Sequence, residues 1–181
     1  MIAVLVSEFF FSLSIMSQNY MPPMNFGMVE EDLYRSGQPN ELNFPFLEKL
    51  HLKTIVFLAA EDPSQALRNF ADDHDIEVLH LGKAQASALT WAPLAEETVI
   101  EALNVVLNPE HYPLHVMCNL GSHRTGTLIG CLRKLQRWNL TSIFEEYRRH
   151  AMGKVRLLNE QFIEFFDTDL VRIPTQRPRW I

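Results

Sequence analysis

Pro113-Leu114-His115-Val116-Met117-Cys118-Asn119-Leu120-Gly121-Ser122-His123-Arg124-Thr125-Gly126-Thr127-Leu128-Ile129-Gly130-Cys131-Leu132-Arg133-Lys134-Leu135-Gln136 passes from an apolar segment through a short polar loop into a run of helical character. The order strand, tight loop, helix puts a cysteine at the strand end and an arginine six residues on. That order suits holding a phosphate in front of a thiolate. The backbone N–H groups of such a loop and the N-terminus of the following helix form a concave anion site. The expected anion loop comprises Asn119, Leu120, Gly121, Ser122, His123 and Arg124. The positive helix end, with Arg124, favours the thiolate of Cys118 and makes it a nucleophile. The planar guanidinium of Arg124 can grip two phosphoryl oxygens, which a lysine does less well. Gly121 lets backbone approach a ligand with no side chain in the way. Thr125 can offer a hydroxyl to the thiolate or to the departing thiol. A buried structural cysteine beside a chance arginine is the plainer alternative. Gly121, the Thr125-Gly126 pair and the strand-to-helix context oppose it.

Working outward, Thr54 to Ala60 is a continuous apolar, β-branched run of the kind found in buried parallel strands. Ile76 to Leu81 and Leu114 to Cys118 predict two further strands, and Leu33-Tyr34-Arg35 a short one before the turn signal Ser36-Gly37-Gln38-Pro39. Helices are expected at 44–50 (capped by Asn43, with Pro45 in the first turn), 64–73, 95–107, 125–137, 141–151 and 159–167. Strand–helix alternation implies an α/β fold in a single domain, with a small, mostly parallel central sheet and helices on both faces. Ligands bind at the carboxyl ends of such strands. The loops 61–63, 82–93 and 119–124 are therefore expected to line one cleft.

A chain of 181 residues with 47% hydrophobic and 21% charged residues suits one soluble globular domain. Cys118 and Cys131, the two cysteines, make no disulfide framework and fit a reducing, cytoplasmic compartment. The net charge of -6 argues against nucleic acid as a partner. Residues 1–15 are apolar and lack Lys and Arg, with Glu8 inside the run. They are too short and interrupted to span a membrane, and they lack the positive start of a signal peptide. Met16-Ser17-Gln18-Asn19-Tyr20-Met21-Pro22-Pro23 reads like an authentic start. We expect residues 1–20 to be an extension outside the fold, 21–173 the folded domain and 174–181 an exposed tail. His111 and His115 are four apart, but Pro113 between them excludes a helical metal pair. His115, on a strand, suits the core or an edge, and Cys131 suits core packing. No metal or cofactor is expected.

Cys118-x5-Arg124-Thr125-Gly126 is similar to the signature of the cysteine-dependent protein tyrosine phosphatase superfamily. The longer runs His123–Arg149 and Pro22–Pro39 resemble the plant-and-fungal atypical dual-specificity phosphatases, most closely the fungal Oca-type members, which suggests a fungal source. The resemblance covers about residues 22–173. It implies a dual-specificity-phosphatase-like fold and hydrolysis through a phosphocysteine. Cys118 would be the nucleophile, Arg124 and the loop N–H groups would bind the transferring group, and Thr125 would assist release.

In much of this superfamily an aspartate on a movable loop protonates the leaving group. The corresponding segment here, 82–95, contains no Asp or Glu. Asp62 and Glu61 on the neighbouring loop are the next candidates, and Asp62 has the alternative of starting a helix. An alkoxide leaving group needs protonation, whereas a phosphate leaving group needs little. An acid-poor loop therefore tolerates phosphoanhydride cleavage best. The resemblance points the same way, since several members act on inositol pyrophosphates. Against this, Met117, Leu120 and Ser122 stand where His, Arg or Lys are frequent in the family. The remaining positive side chains expected near the site are His123, Arg124 and Lys83, with Lys154 and Arg156 either adding to substrate binding or lying on a solvated face. The expected substrate is thus an inositol pyrophosphate, or phosphotyrosine and other phosphoprotein residues, with no nucleic acid and no membrane as partner. The rival from another class is a catalytically weak binding subunit that works with related phosphatase-like chains.

Overall fold

The computed structural model describes residues 20–85 and 92–181. Residues 1–19, most of the expected N-terminal extension, and the loop tip 86–91 lie outside the described residues. Five strands form one sheet in the order β1-β2-β5-β3-β4, where β1 is Gly27–Glu30, β2 Leu33–Gly37, β3 Thr54–Phe57, β4 Glu77–His80 and β5 Leu114–Cys118. β2, β5, β3 and β4 run parallel, and β1 alone pairs antiparallel, with β2. Among the described residues six α-helices follow the alternation: α1 Phe44–Glu48, α2 Gln65–Asp73, α3 Glu96–Val106, α4 His123–Leu135, α5 Leu140–His150 and α6 Leu157–Phe165.

β5 sits at the centre with all five residues buried, as a run without alternation should when both faces are covered. Tyr34 and His115 face α1 and α2: Phe26 stacks on Tyr34 and meets Phe46 edge-on, while Phe44 stacks on Phe70 at 4.5 Å. The alternate positions Arg35, Val116 and Cys118 face α3 to α6. Val99, Leu103, Leu128, Leu132 and Ile163 close that side with no exposed area; each such side chain contributes about 1.5–3 kcal/mol by leaving water. Arg133 ties α4 to α5 and β1: Nε donates to Glu146 at 2.8 Å, Nη2 to the Val29 carbonyl at 2.9 Å, and Nη1 to Glu30. Breaking such a buried pair by removing one partner costs about 3–5 kcal/mol.

The parallel registers Thr54↔Leu114 and Thr54↔Glu77 bring the carboxyl ends of β3, β4 and β5 to one edge, as the alternation implied. Other expectations change. β1 carries no strand signature: it is four residues long, begins with Gly27 and has a bulge between Met28 and Glu30. Asn43 does not cap α1; it closes a capping box one turn earlier, its Oδ1 accepting from the Asn40 N–H at 2.9 Å. His115 is fully buried, its Nε2 2.8 Å from Ser36 Oγ, and Cys131 is buried in the core. The tail is not wholly exposed. Trp180 and Ile181 pack back onto the core, and the Trp180 carbonyl accepts from Gln136 Nε2 at 3.1 Å. Among the described residues no helix is long and apolar enough to cross a membrane.

Candidate active site

Cys118 ends β5 and is 6% exposed. Five residues later α4 begins, with Ser122 at its N-cap making no side-chain capping bond. The first-turn N–H groups are thus left for a ligand. The intervening loop is pressed against β2, whose Ser36 and Gly37 pair with Met117 and Cys118. Gly121 has φ +66, and a Cβ there would lie 2.4 Å from the Gly37 nitrogen. Only glycine meets both demands.

Three successive loop carbonyls are held on the protein side. The Asn119 carbonyl accepts from the Gln38 N–H at 3.2 Å, and that of Leu120 from Asn25 Nδ2 at 3.3 Å. The Gly121 carbonyl accepts from Asn25 Nδ2 at 3.0 Å and from Arg35 Nη2 at 2.9 Å. In a planar trans peptide the N–H of the next residue points opposite the carbonyl. The N–H groups of Leu120, Gly121 and Ser122 are thereby turned away from the protein body, towards the cavity. Asn25 is itself locked, at φ 60, with Oδ1 2.8 Å from His150 Nδ1.

The cavity, about 440 Å³, is lined by Cys118, Asn119, Leu120, Ser122, His123 and Arg124 from the loop. Ala59, Ala60 and Glu61 after β3 and Arg156 before α6 complete it. Nη1 of Arg124 donates to the Leu58 carbonyl at 2.9 Å. Thr125 Oγ1 is buried and has no hydrogen-bond partner among the described residues. His123 does not add positive charge as expected. Burial first, then the charges of Arg156 and Lys154, push its pKa below the ordinary imidazole value, and its Nδ1 lies 3.1 Å from the Tyr147 hydroxyl. Glu61 accepts from Asn119 Nδ2 at 2.9 Å. A bond from its own backbone N–H, and then the Asn119 bond, hold its carboxyl below the usual range, so it is a poor proton donor.

The peripheral residues divide. Arg156 lines the cavity, whereas Lys154 is exposed and reaches it only through its field at His123. Lys83 and Asp62 are not among the lining residues: they pair with each other at 3.6 Å, and Asp62 also lies 3.5 Å from His80 Nδ1. Asp62 does not start a helix either, since Ser64 caps α2 by accepting from the Leu67 N–H. Asn25 and Arg35 do not stand out in the sequence, where an asparagine before Phe26-Gly27 reads as a turn and an arginine in a short strand reads as an edge residue. Among the described residues, the cavity lining holds Arg156 as the one cation besides Arg124, with the Glu61 carboxylate on its rim. Among the described residues, no group of three or more His, Cys, Asp or Glu could hold a metal ion.

The sequence model of the tyrosine phosphatase family matches residues 20–181. The chain is 67% identical over 163 residues to the probable tyrosine-protein phosphatase DG1060 of Dictyostelium discoideum, covering 90% of this chain and 97% of that one. It is 58% identical over 152 residues to OCA1 of Mycosarcoma maydis, whose name makes it a candidate tyrosine-protein phosphatase, covering 83% and 96%. Among solved structures, the core catalytic domain of the PP-IP phosphatase SIW14 from S. cerevisiae, in complex with citrate, superposes with a TM-score of 0.78 at 43% identity, over 83% of this chain and 90% of that one. P. aeruginosa TpbA shares the fold, with a TM-score of 0.60 at 21% identity, over 81% and 87%.

Proposed function

The chain belongs to the tyrosine phosphatase family, and we propose that it hydrolyses inositol pyrophosphates, or phosphotyrosine and other phosphoprotein residues, through a phosphocysteine on Cys118. The observation that carries this reading is the cavity lined by both Cys118 and Arg124, beside a loop whose Asn119, Leu120 and Gly121 carbonyls are all bonded on the protein side. Cys118 Sγ attacks phosphorus, the S–P bond forms, and the bond to the leaving oxygen breaks. Arg124 and the N–H groups of Leu120, Gly121 and Ser122 balance charge on the equatorial oxygens. Water then attacks phosphorus, the P–S bond breaks, and the thiol of Cys118 leaves with help from the buried Thr125 hydroxyl. No cofactor enters these steps.

Two observations bear on the substrate. The likeness to the PP-IP phosphatase SIW14, and a rim carboxylate that holds no proton to give, favour a phosphoanhydride. Leu120, 53% exposed at the mouth, and the neutral His123 favour an aromatic phosphoester over a dense polyanion. Both have leaving groups better than an alkoxide. The reduced cysteines fit the cytoplasm.

The deciding experiment compares wild type with Cys118→Ser on an inositol pyrophosphate, a phosphotyrosine peptide and a phosphoserine peptide. We expect turnover of one of the first two by wild type, and none by the variant, which still binds inorganic phosphate. Equal rates for both proteins would rule out the covalent route. Phosphate binding without turnover by wild type would favour the rival reading, a weak subunit acting beside related phosphatase-like chains.

A further inference from the structure

We propose that Arg35 is a positioning residue of the phosphate loop: its buried guanidinium, bonded to the Gly121 carbonyl, orients and polarises the Gly121–Ser122 peptide so that the Ser122 N–H meets the bound phosphate. The proposal rests on the phosphocysteine reading of the cavity and adds a residue that touches no substrate.

Arg35 is 1% exposed and is among the largest fully buried side chains. Its guanidinium lies between the loop and the first turn of α4: Nη2 is 2.9 Å from the Gly121 carbonyl and would be 3.7 Å from a Cβ placed on Gly126. Among the described residues Nε and Nη1 have no hydrogen-bond partner. A cation removed from bulk solvent, with two nitrogens unbonded among the described residues, is an expensive way to hold one carbonyl. Asn25 Nδ2 also reaches this carbonyl, at 3.0 Å, but shares its two hydrogens with the His150 carbonyl at 2.8 Å and the Leu120 carbonyl at 3.3 Å. Arg35 does not neutralise a stranded acid. Glu146, the anion that most favours its charge, is bonded to Arg133 at 2.8 and 3.2 Å.

What the charge does face is the loop. Burial lowers the pKa of Arg35, but only to about 10, so at neutral pH the group stays cationic. The charged groups acting on it are Glu146, Cys118, Arg133 and Arg149, and His150 in turn feels the Arg35 charge. A cation bonded to a carbonyl draws electron density from the peptide and makes the N–H on its far side a stronger donor. The hydrogen-bond partners that orient metal-ligating side chains act in this way, and removing one typically costs about 10–100-fold, which sets the scale expected here. Arg35 makes a single bond to the loop, so the direction and charge of that bond matter more than the fork of the guanidinium.

The test uses the full chain carrying Arg35→Met or Arg35→Lys. Inorganic phosphate affinity, kcat/KM for p-nitrophenyl phosphate and thermal unfolding are measured for each. We expect Arg35→Met to keep a melting temperature at or above that of wild type, because a desolvated charge has been removed. It should lose about 10–100-fold in phosphate affinity and in kcat/KM. Arg35→Lys, which keeps a charged donor, should lose less. An Arg35→Met protein that binds phosphate and turns over like wild type overturns the proposal. So does an unfolded Arg35→Met, which would make the role structural, and so does an equal loss in both variants. If wild-type turnover does not depend on Cys118, the functional reading fails, while phosphate affinity still decides the role of Arg35.

Discussion

Arg124 Nη1 donates to the Leu58 carbonyl at 2.9 Å, so the arginine that closes the loop after β5 is braced on the end of β3. One nitrogen spent on that carbonyl restrains the plane of the guanidinium, and Arg124 lines the same cavity as Cys118. The brace matters because bidentate recognition depends on the plane as much as on the charge.

Arg124→Lys is therefore expected to be nearly as damaging as Arg124→Ala. Lysine keeps the charge but not a fork that can hold Leu58 and phosphate together. Both variants should lose about 10²–10³-fold in kcat. Steady-state kinetics on an aryl phosphate checks this. Recovery of most activity by Lys would mean that Arg124 acts as a point charge.

Gly121 and Gly153 make a matched pair, since both have positive φ, +66 and +75. A Cβ on Gly121 would collide with β2 backbone at 2.4 Å, whereas one on Gly153 meets nothing within 4 Å. Gly153→Ala should cost only the left-handed strain, about 1 kcal/mol, and leave turnover unchanged. Gly121→Ala adds overpacking of about 1–3 kcal/mol and lifts the loop off Ser36-Gly37, so activity should collapse. Denaturant melts and kinetics on the two variants separate these effects. Equal behaviour of the two would show that the loop tolerates displacement.

Much of this was legible in the residues. Local signals mark the buried β5, the Cys118–Arg124 loop and α4, because strand hydrophobicity, a glycine and a helix start all fall within one short window. The alternation of strands and helices carries the parallel sheet and the shared edge. What stayed hidden depends on contacts distant in sequence. Asn25 meets Gly121 across 96 residues, and Arg35 meets it across 86; no local pattern records either. β1 is held by pairing with β2 rather than by its own propensity. Trp180 turns back because Tyr112 and Gln136 receive it. His123 is less prone to carry charge than expected, because burial and then Arg156 and Lys154, all set by the fold, lower its pKa.

Acid should unfold this protein through its buried imidazoles. Burial pushes the pKa of His115 from 6.5 to about 3, and burial followed by the Arg35 charge pushes that of His150 to about 4. Between those values and 6.5 the unfolded chain binds protons that the folded chain refuses. Stability therefore rises with pH through this window and is lost as pH falls. The melting temperature should be flat above pH 7 and drop steadily from pH 6 towards pH 4. His115→Gln, which presents a neutral polar group to Ser36, should drop less steeply. A melting temperature unchanged from pH 7 to pH 4 would contradict this assignment.

The last expectation concerns proton delivery to the leaving group. Segment 82–95 holds no carboxyl group, Glu61 is held ionised on the rim, and Asp62 is committed to His80 and Lys83 away from the cavity lining. With no proton-donating acid in the cavity lining among the described residues, the departing oxygen is expected to leave with its negative charge, so the rate should depend steeply on leaving-group pKa. Phosphoanhydrides and aryl phosphates should be cleaved far faster than alkyl phosphates. Asp62→Asn should cost little, well under the roughly 10²–10⁴-fold typical of losing a general acid. Glu61→Gln should not slow the chemical step and, by removing a rim charge, should improve binding of the more anionic substrates. A series of aryl and alkyl phosphates measured on wild type, Asp62→Asn and Glu61→Gln decides the matter. A flat dependence in wild type that becomes steep in one variant would identify that carboxyl as the acid and show that its side chain swings into the cavity when substrate binds.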